Sequence, residues 1–191
     1  MQNLLNETVT KEKAHIIKEL QEELFQKEGN GWFRIISGSM HPLIDINDKV
    51  LVKRIFPSEV RLGDIILFKS DDALVMHRVI KIEEQNGRMM ILQKGDASLN
   101  AGVTDSESII GKVVAIEKKG KILSLDSGRG KVINNFLGFI NSVFYRFNLK
   151  ISGIKQWLRD KPGFDYIKAF YNILRKPFTY LYRLMIKASL T

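Results

Sequence analysis

The feature that most constrains the fold is a succession of short β-type segments between residues 32 and 126, with no helical period between them. They are rich in Ile, Val and Leu and are separated by Asp, Asn, Gly and Pro; the segments are WFRII, KVLVKRI, DIILF, LVMHRVIKI, MMILQK, IIGKVVAIEKK and KILSL. Asn86-Gly87 indicates a tight hairpin, because both residues accept a positive φ. This pattern predicts a mainly β fold, a small coiled antiparallel barrel or sandwich.

Helical periods flank this region and divide the chain into three parts. Residues 1–31 are predicted to hold an amphipathic helix over 8–28, which packs on the β domain or on a partner. Residues 32–127 form the β domain. Residues 128–191 form a helical tail, broken near Pro162 and Pro177, whose first helix has one apolar face made of Val132, Phe136, Phe139, Ile140, Val143 and Phe147.

Composition excludes several classes of chemistry. The chain has no cysteine, which removes disulfides, Cys-ligated zinc, iron–sulfur clusters and a Cys nucleophile. Its three histidines lie far apart without ligand spacing, so neither a metal nor a cofactor is expected. The apolar stretches are shorter than the ~20 residues of a spanning helix, and the N-terminus is too charged for a secretory signal. We therefore expect a peripheral membrane or cytoplasmic protein.

The segment Ser37-Gly38-Ser39-Met40-His41-Pro42 follows the first predicted strand at a glycine-containing turn. A serine placed there can stand at the rim of a barrel with its own N–H directed at a bound carbonyl. Met40 is expected to pack beneath it. Taken alone, the segment is also compatible with an ordinary loop.

Three further blocks follow in order: GDIILF leading to MHRVI, then KGDA, then IIGKV. Together with SGSMHP they resemble the signal peptidase I family, in particular its endoplasmic-reticulum and archaeal-like branch, over about residues 33–117. The resemblance implies a β domain of the signal peptidase/LexA type and a serine endopeptidase that cleaves signal or leader peptides. It implies Ser39 as the nucleophile and His77 as the general base. Imidazole suits this role, because its unperturbed pKa of about 6.5 lets it accept and return a proton.

Other roles implied by the resemblance have alternatives. Ser37 and the Ser39 N–H are candidates for binding the oxyanion, although Ser37 can equally satisfy its own turn. His41 competes with His77 as the base and is the less favoured of the two. In this branch an Asp a few residues after Gly-Asp orients the histidine, but here the next acid is Asp105. Either Asp105 moves into place, or Asp96 substitutes, or the site is a bare pair.

Two alternative functions remain open. Lys53 or Lys69 would serve as the base in a LexA-type Ser/Lys peptidase, but no helix-turn-helix pattern precedes the barrel. A catalytically weak or inactive relative would bind peptides through the same groove, as an interaction module at a membrane surface.

The tail is strongly basic. Residues 132–191 carry 10 Lys/Arg, 2 Asp/Glu and 13 of the 18 aromatic residues. This composition suits an anionic membrane surface, or alternatively a cap that packs its aromatic rings on the barrel. Nucleic acid is a less favoured partner, because no recognition module is present.

Overall fold

The computed structural model describes residues 25, 27–70, 73–98, 100–158, 180 and 184. Its strands are β1 (Asn30–Arg34), β2 (Lys49–Lys53), β3 (Ile65–Ser70), β4 (Ala73–Gln85), β5 (Arg88–Lys94), β6 (Gly102–Asp105), β7 (Ile109–Lys118) and β8 (Lys121–Ser124). Two 3-10 turns lie at Pro57–Glu59 and Ser106–Ser108, and helix α1 spans Gly128–Leu158. The chain is therefore mainly β, as predicted.

The eight strands form one antiparallel sheet in the order β1-β2-β7-β3-β4-β5-β6, with β8 paired to β7. All seven predicted segments contain a strand, and β6 is the strand that the sequence pattern did not predict. The β4–β5 hairpin turns at Asn86 and Gly87, with φ of 53° and 74°. Register shifts interrupt three of the pairings, between Leu51 and Val52, Leu67 and Phe68, and Val79 and Lys81. Such bulges bend strands and increase their twist, which coils the sheet around its core.

The apolar core forms two clusters. The larger one joins β2, β3, β7, the β1–β2 connection and α1, and its members are Phe25, Ile35, Met40, Leu43, Ile44, Val50, Val52, Ile65, Leu67, Val113, Ile116, Leu123, Leu125, Ile133 and Leu137. The smaller one contains Val60, Ile66, Phe68, Val79 and Ile91. Adjacent residues of β3 belong to different clusters, because successive side chains of a strand point to opposite faces.

Helix α1 packs on the sheet through a face other than the one that the sequence singled out. Ile133 and Leu137 are buried in the larger cluster. At Gly138 the helix comes so close to Gly63 that an added Cβ would lie 2.7 Å from the Gly63 Cα. Val132, Phe139 and Val143 are instead 62%, 65% and 45% exposed. The face that the sequence predicted is thus largely solvent-facing along the described side chains of α1.

Two predictions fall mostly outside the described residues. Of the predicted helix over 8–28, the structure describes Phe25, Lys27 and Glu28, which are helical; the Phe25 ring packs edge-on against Phe33 at 5.7 Å. The predicted helices after Pro162 lie outside the described residues except for Tyr180 and Leu184, both helical and exposed. Within the described part of the chain, no helix has both the length and the apolarity needed to cross a membrane.

Candidate active site

Ser39 lies in the turn-rich connection between β1 and β2. The connection is tied together by backbone hydrogen bonds from the His41 N–H to the Gly38 carbonyl (3.1 Å) and from the Ile44 N–H to the Met40 carbonyl (3.1 Å). Met40 is 2% exposed and belongs to the larger core cluster, in agreement with its predicted packing role. The anchored Met40 holds the half-buried Ser39 at the rim of the sheet.

His77 lies on β4, opposite Ile66 of β3. Its half-buried ring faces the smaller core cluster, with its centroid 6.2 Å from that of Phe68. Burial disfavours the charged imidazolium and lowers the pKa of His77 below its usual 6.5, although the Gln93 hydrogen bond and the Asp96 charge act in the opposite direction. A neutral imidazole is the form that can accept a proton.

Ser39 and His77 meet at Gly95, in the turn that follows β5. A Cβ added to Gly95 would lie 3.2 Å from the Ser39 Cβ, 3.2 Å from His77 Nε2 and 2.7 Å from the Ser39 carbonyl oxygen. The Ala97 N–H donates to the same carbonyl at 2.9 Å, so the two turns are joined. The absence of a side chain at Gly95 keeps open the space that both predicted catalytic groups border.

The other ring nitrogen of His77 is held by an amide. His77 Nδ1 and Gln93 Oε1 are 2.5 Å apart, and Gln93 is buried on β5. Because an amide oxygen only accepts, Nδ1 carries the proton and Nε2 is left as the acceptor. Gly102 of β6 leaves room for this amide, since a Cβ there would lie 2.7 Å from Gln93 Nε2. This is the tautomer that a histidine base needs.

Gln93 replaces the carboxylate that the sequence led us to expect. Asp96 is bound instead by Arg78, whose Nε and Nη2 donate to its two oxygens at 2.8 Å each, and by Asn141 Nδ2 at 2.9 Å. Asp105 accepts from the Glu107 N–H at 2.9 Å and so caps the Ser106–Ser108 turn. Both carboxylates therefore bind groups other than His77 Nδ1, and the predicted orientation of His77 by either acid does not agree with the geometry.

Gln93 was missed because a glutamine in a strand has no distinctive sequence pattern. One signal was available. Gln93 occupies the same alternating phase of β5 as Ile91, which is fully buried. A polar side chain at a core-facing position needs a partner, and here that partner is the histidine.

The other candidate bases lie in surroundings that differ from those of His77. His41 Nδ1 is 2.5 Å from Asp45 Oδ1, and the side chain is 45% exposed. Lys53 on β2 and Lys69 on β3 are exposed. Lys94, the first residue of the KGDA block, has no role predicted from the sequence; it is buried beside the site and donates to the carbonyls of Gly95 (3.0 Å) and Ser98 (2.7 Å). Lys94 thereby stabilises the turn that contains Gly95.

Ser37, the predicted oxyanion donor, is exposed two residues before the half-buried Ser39. Its role and that of the Ser39 N–H remain predictions. Among the described residues, no group of three or more histidine, aspartate or glutamate side chains is arranged to hold a metal ion.

The site lies within a segment that matches a known protein family. The family model described as Peptidase S24-like matches residues 5–114, more than half of the chain. The chain belongs to the Peptidase S24-like family. Its superfamily contains LexA-type and signal peptidases, and its β-barrel fold agrees with the sheet described above. The S24-like match covers Ser39, His77 and Gln93 and makes the chain a serine-peptidase-type protein. A comparison with curated proteins finds no match.

Proposed function

We propose that this chain is a serine endopeptidase of the signal peptidase type, which cleaves signal or leader-like peptides with Ser39 as nucleophile and His77 as general base. The observation that carries the proposal is the approach of the Ser39 Cβ and His77 Nε2 to one open position at Gly95. The Gln93 amide supports it by leaving Nε2 unprotonated. The closeness of His77 favours a Ser/His pair over a Ser/Lys pair. Lys53 and Lys69 are exposed on other strands, and the buried Lys94 donates to the carbonyls of Gly95 and Ser98.

The reaction follows from these positions. The Ser39 hydroxyl attacks the scissile carbonyl while His77 Nε2 takes its proton, and the developing oxyanion is bound by the Ser39 N–H with Ser37 as second donor. His77 then returns the proton to the leaving amine. Water, deprotonated by the same nitrogen, hydrolyses the acyl-enzyme and regenerates Ser39.

An open strand edge beside His77 supports an extended peptide as the substrate. Residues Ala73–His77 of β4 pair with β3 on one side, whereas pairing with β5 begins only at Arg78. Within the described residues, the second edge of Ala73–His77 pairs with no strand. A peptide added to such an edge would be held by main-chain hydrogen bonds, which suits a substrate recognised along its backbone.

The test is covalent labelling combined with peptide cleavage. A serine-directed fluorophosphonate should add once to the intact protein, at Ser39, and both labelling and cleavage of a leader-peptide panel should be lost in Ser39→Ala. Ser58→Ala, an exposed serine elsewhere, is the matched control and should behave as wild type. Cleavage that survives Ser39→Ala would refute the mechanism.

The base is assigned by a second pair of variants. His77→Ala should lower kcat/KM by about 10²–10⁴-fold, the usual contribution of general-base catalysis, whereas His41→Ala should leave it near wild type. The reverse result would assign the base to His41. If peptides bind but neither labelling nor cleavage occurs, the chain is the non-catalytic, peptide-binding relative.

A further inference from the structure

Helix α1 has two faces with different contacts. Its inner face is occupied: Ile133 and Leu137 are in the core, Gly138 abuts Gly63, and the Asn134 side chain and carbonyl accept from Arg78 Nη1. Its outer face presents Val132, Phe139 and Val143 to solvent. These three residues, at a spacing of seven and then four, lie along one stripe of the helix. We call this stripe the outer apolar stripe.

The charges of α1 indicate what can cover this stripe. The 31 residues of α1 include five Lys/Arg and no Asp or Glu. Arg129, Lys131 and Arg146 are exposed and flank the stripe. Among the described side chains of α1, the exposed charged ones are all cations, and an apolar stripe with such neighbours matches the interface of an anionic bilayer, where rings enter the headgroup zone and cations meet phosphates. A second copy of this chain fits poorly, because a two-fold interface would place the same cations opposite one another.

We infer that the outer apolar stripe of α1 docks this protein on the surface of an anionic lipid bilayer. The helix lies along the membrane plane, while its inner face stays on the β domain. The inference does not depend on the proposed peptidase activity, because it rests on the exposure and charge of α1 alone.

The test is sedimentation of the full chain with vesicles, without any substrate. We expect it to pellet with phosphatidylcholine vesicles containing phosphatidylserine and much less with phosphatidylcholine alone, and added salt should weaken the binding. Phe139→Ser combined with Val143→Ser should lower the partition coefficient at least about tenfold, since two apolar side chains that would enter the bilayer are lost. Lys131→Glu combined with Arg146→Glu should lower it at least about tenfold on acidic vesicles only.

Matched variants separate docking from general surface effects. Val103→Ser with Ile122→Ser removes two apolar residues of similar exposure from β6 and β8, and Lys53→Glu with Lys69→Glu makes the same charge change on β2 and β3. Both should pellet as wild type, and circular dichroism should show all variants folded. Equal loss in test and control variants, unchanged pelleting of both α1 variants, or dimerisation abolished by Phe139→Ser without vesicle binding would each overturn the inference.

Discussion

His77 and Arg78 are neighbours on β4, yet their side chains lie in opposite environments. His77 is half-buried at the rim, and its partner Gln93 is neutral. Arg78 is fully buried on the other face and forms a bidentate ion pair with Asp96, to which α1 adds Asn134 and Asn141. The comparison shows that the charges adjoining the site are used for its architecture, while the group proposed to react is kept neutral and able to accept a proton.

The contrast between the environments of His77 and Arg78 also explains why Asp96 is a plausible but unsuitable partner for His77. It adjoins Gly95 in sequence and raises the pKa of His77 through its charge, yet both its oxygens are taken by Arg78. Its contribution to the site is therefore electrostatic and structural, and the direct contact with the imidazole is made by Gln93.

The largest expected effect is on the Arg78 side of this comparison. Asp96→Ala leaves a guanidinium at 0% exposure without its counter-charge. Removal of one partner from a buried pair typically costs about 3–5 kcal/mol. We therefore expect the free energy of unfolding, measured by urea denaturation, to fall by that amount.

Asp126→Ala is the matched control. Asp126 also pairs with a cation, Lys112 at 3.3 Å, but its side chain is 52% exposed. Exposed pairs contribute up to about 1 kcal/mol, so this variant should lose no more than that. Equal losses in the two variants would contradict a special structural role for the Arg78–Asp96 pair.

Much of the fold could be predicted from the sequence because its signals are local. Seven of the eight described strands follow from segments rich in Ile, Val and Leu, and the β4–β5 hairpin follows from Asn86-Gly87. Strand β6 was missed because Gly102–Asp105 is only four residues long and includes a glycine and an aspartate. It is a strand because β5 pairs with it, and that contact is tertiary.

The candidate site likewise has a part that the sequence predicts and a part that depends on tertiary contacts. The proximity of Ser39 and His77 agrees with the ordered motifs, whereas Gln93 and Lys94 act through contacts that only the folded chain reveals.

The tail shows a similar limit of prediction from sequence. Helical periodicity identified an apolar face of α1 but not the second face, made of Ile133, Leu137 and Gly138, that packs on the β domain. Ile133 and Leu137 share this buried face with Asn134, Gly138 and Ser142, and these small and amide residues weaken its hydrophobic signal.

The second prediction concerns the His77 side. Gln93→Ala should lower kcat about 10- to 100-fold, the cost of losing one hydrogen bond that positions the base. Gln93→Glu should place a negative charge at Nδ1 and raise the pKa of His77. Because the base must be neutral and burial lowers the pKa of His77, we expect the acidic limb of the kcat/KM profile below pH 6.5 in the wild type and at higher pH in Gln93→Glu.

Nuclear magnetic resonance titration of the His77 ring measures the same pKa without substrate. Gln85→Glu makes the same change at an exposed position of β4 and should leave both the titration and the profile unchanged. A Gln93→Glu protein whose His77 titrates as in the wild type would contradict the assigned contact. A purely structural role for Gln93 would alter stability but would not move the pH profile.

The smallest expected effect concerns the link between α1 and the ion pair. Asn141→Ala removes the hydrogen bond to Asp96 Oδ1 and a second bond to the Leu137 carbonyl (3.1 Å) within the helix. Asp96 keeps both bonds from Arg78, so the loss should be about 1 kcal/mol. Alanine also favours a helix over asparagine by a few tenths of a kcal/mol, which offsets part of the loss. Asn135→Ala, at an exposed position of the same helix, gains this helical preference without losing the bond and should be slightly stabilised. The difference between the two urea midpoints thus measures the bonds that the Asn141 amide donates to Asp96 and to the Leu137 carbonyl. Because Gln93 holds His77 independently of α1, Asn141→Ala should leave the acidic limb of the kcat/KM profile in place. A shifted limb would show that the two faces of β4 are coupled through Asp96.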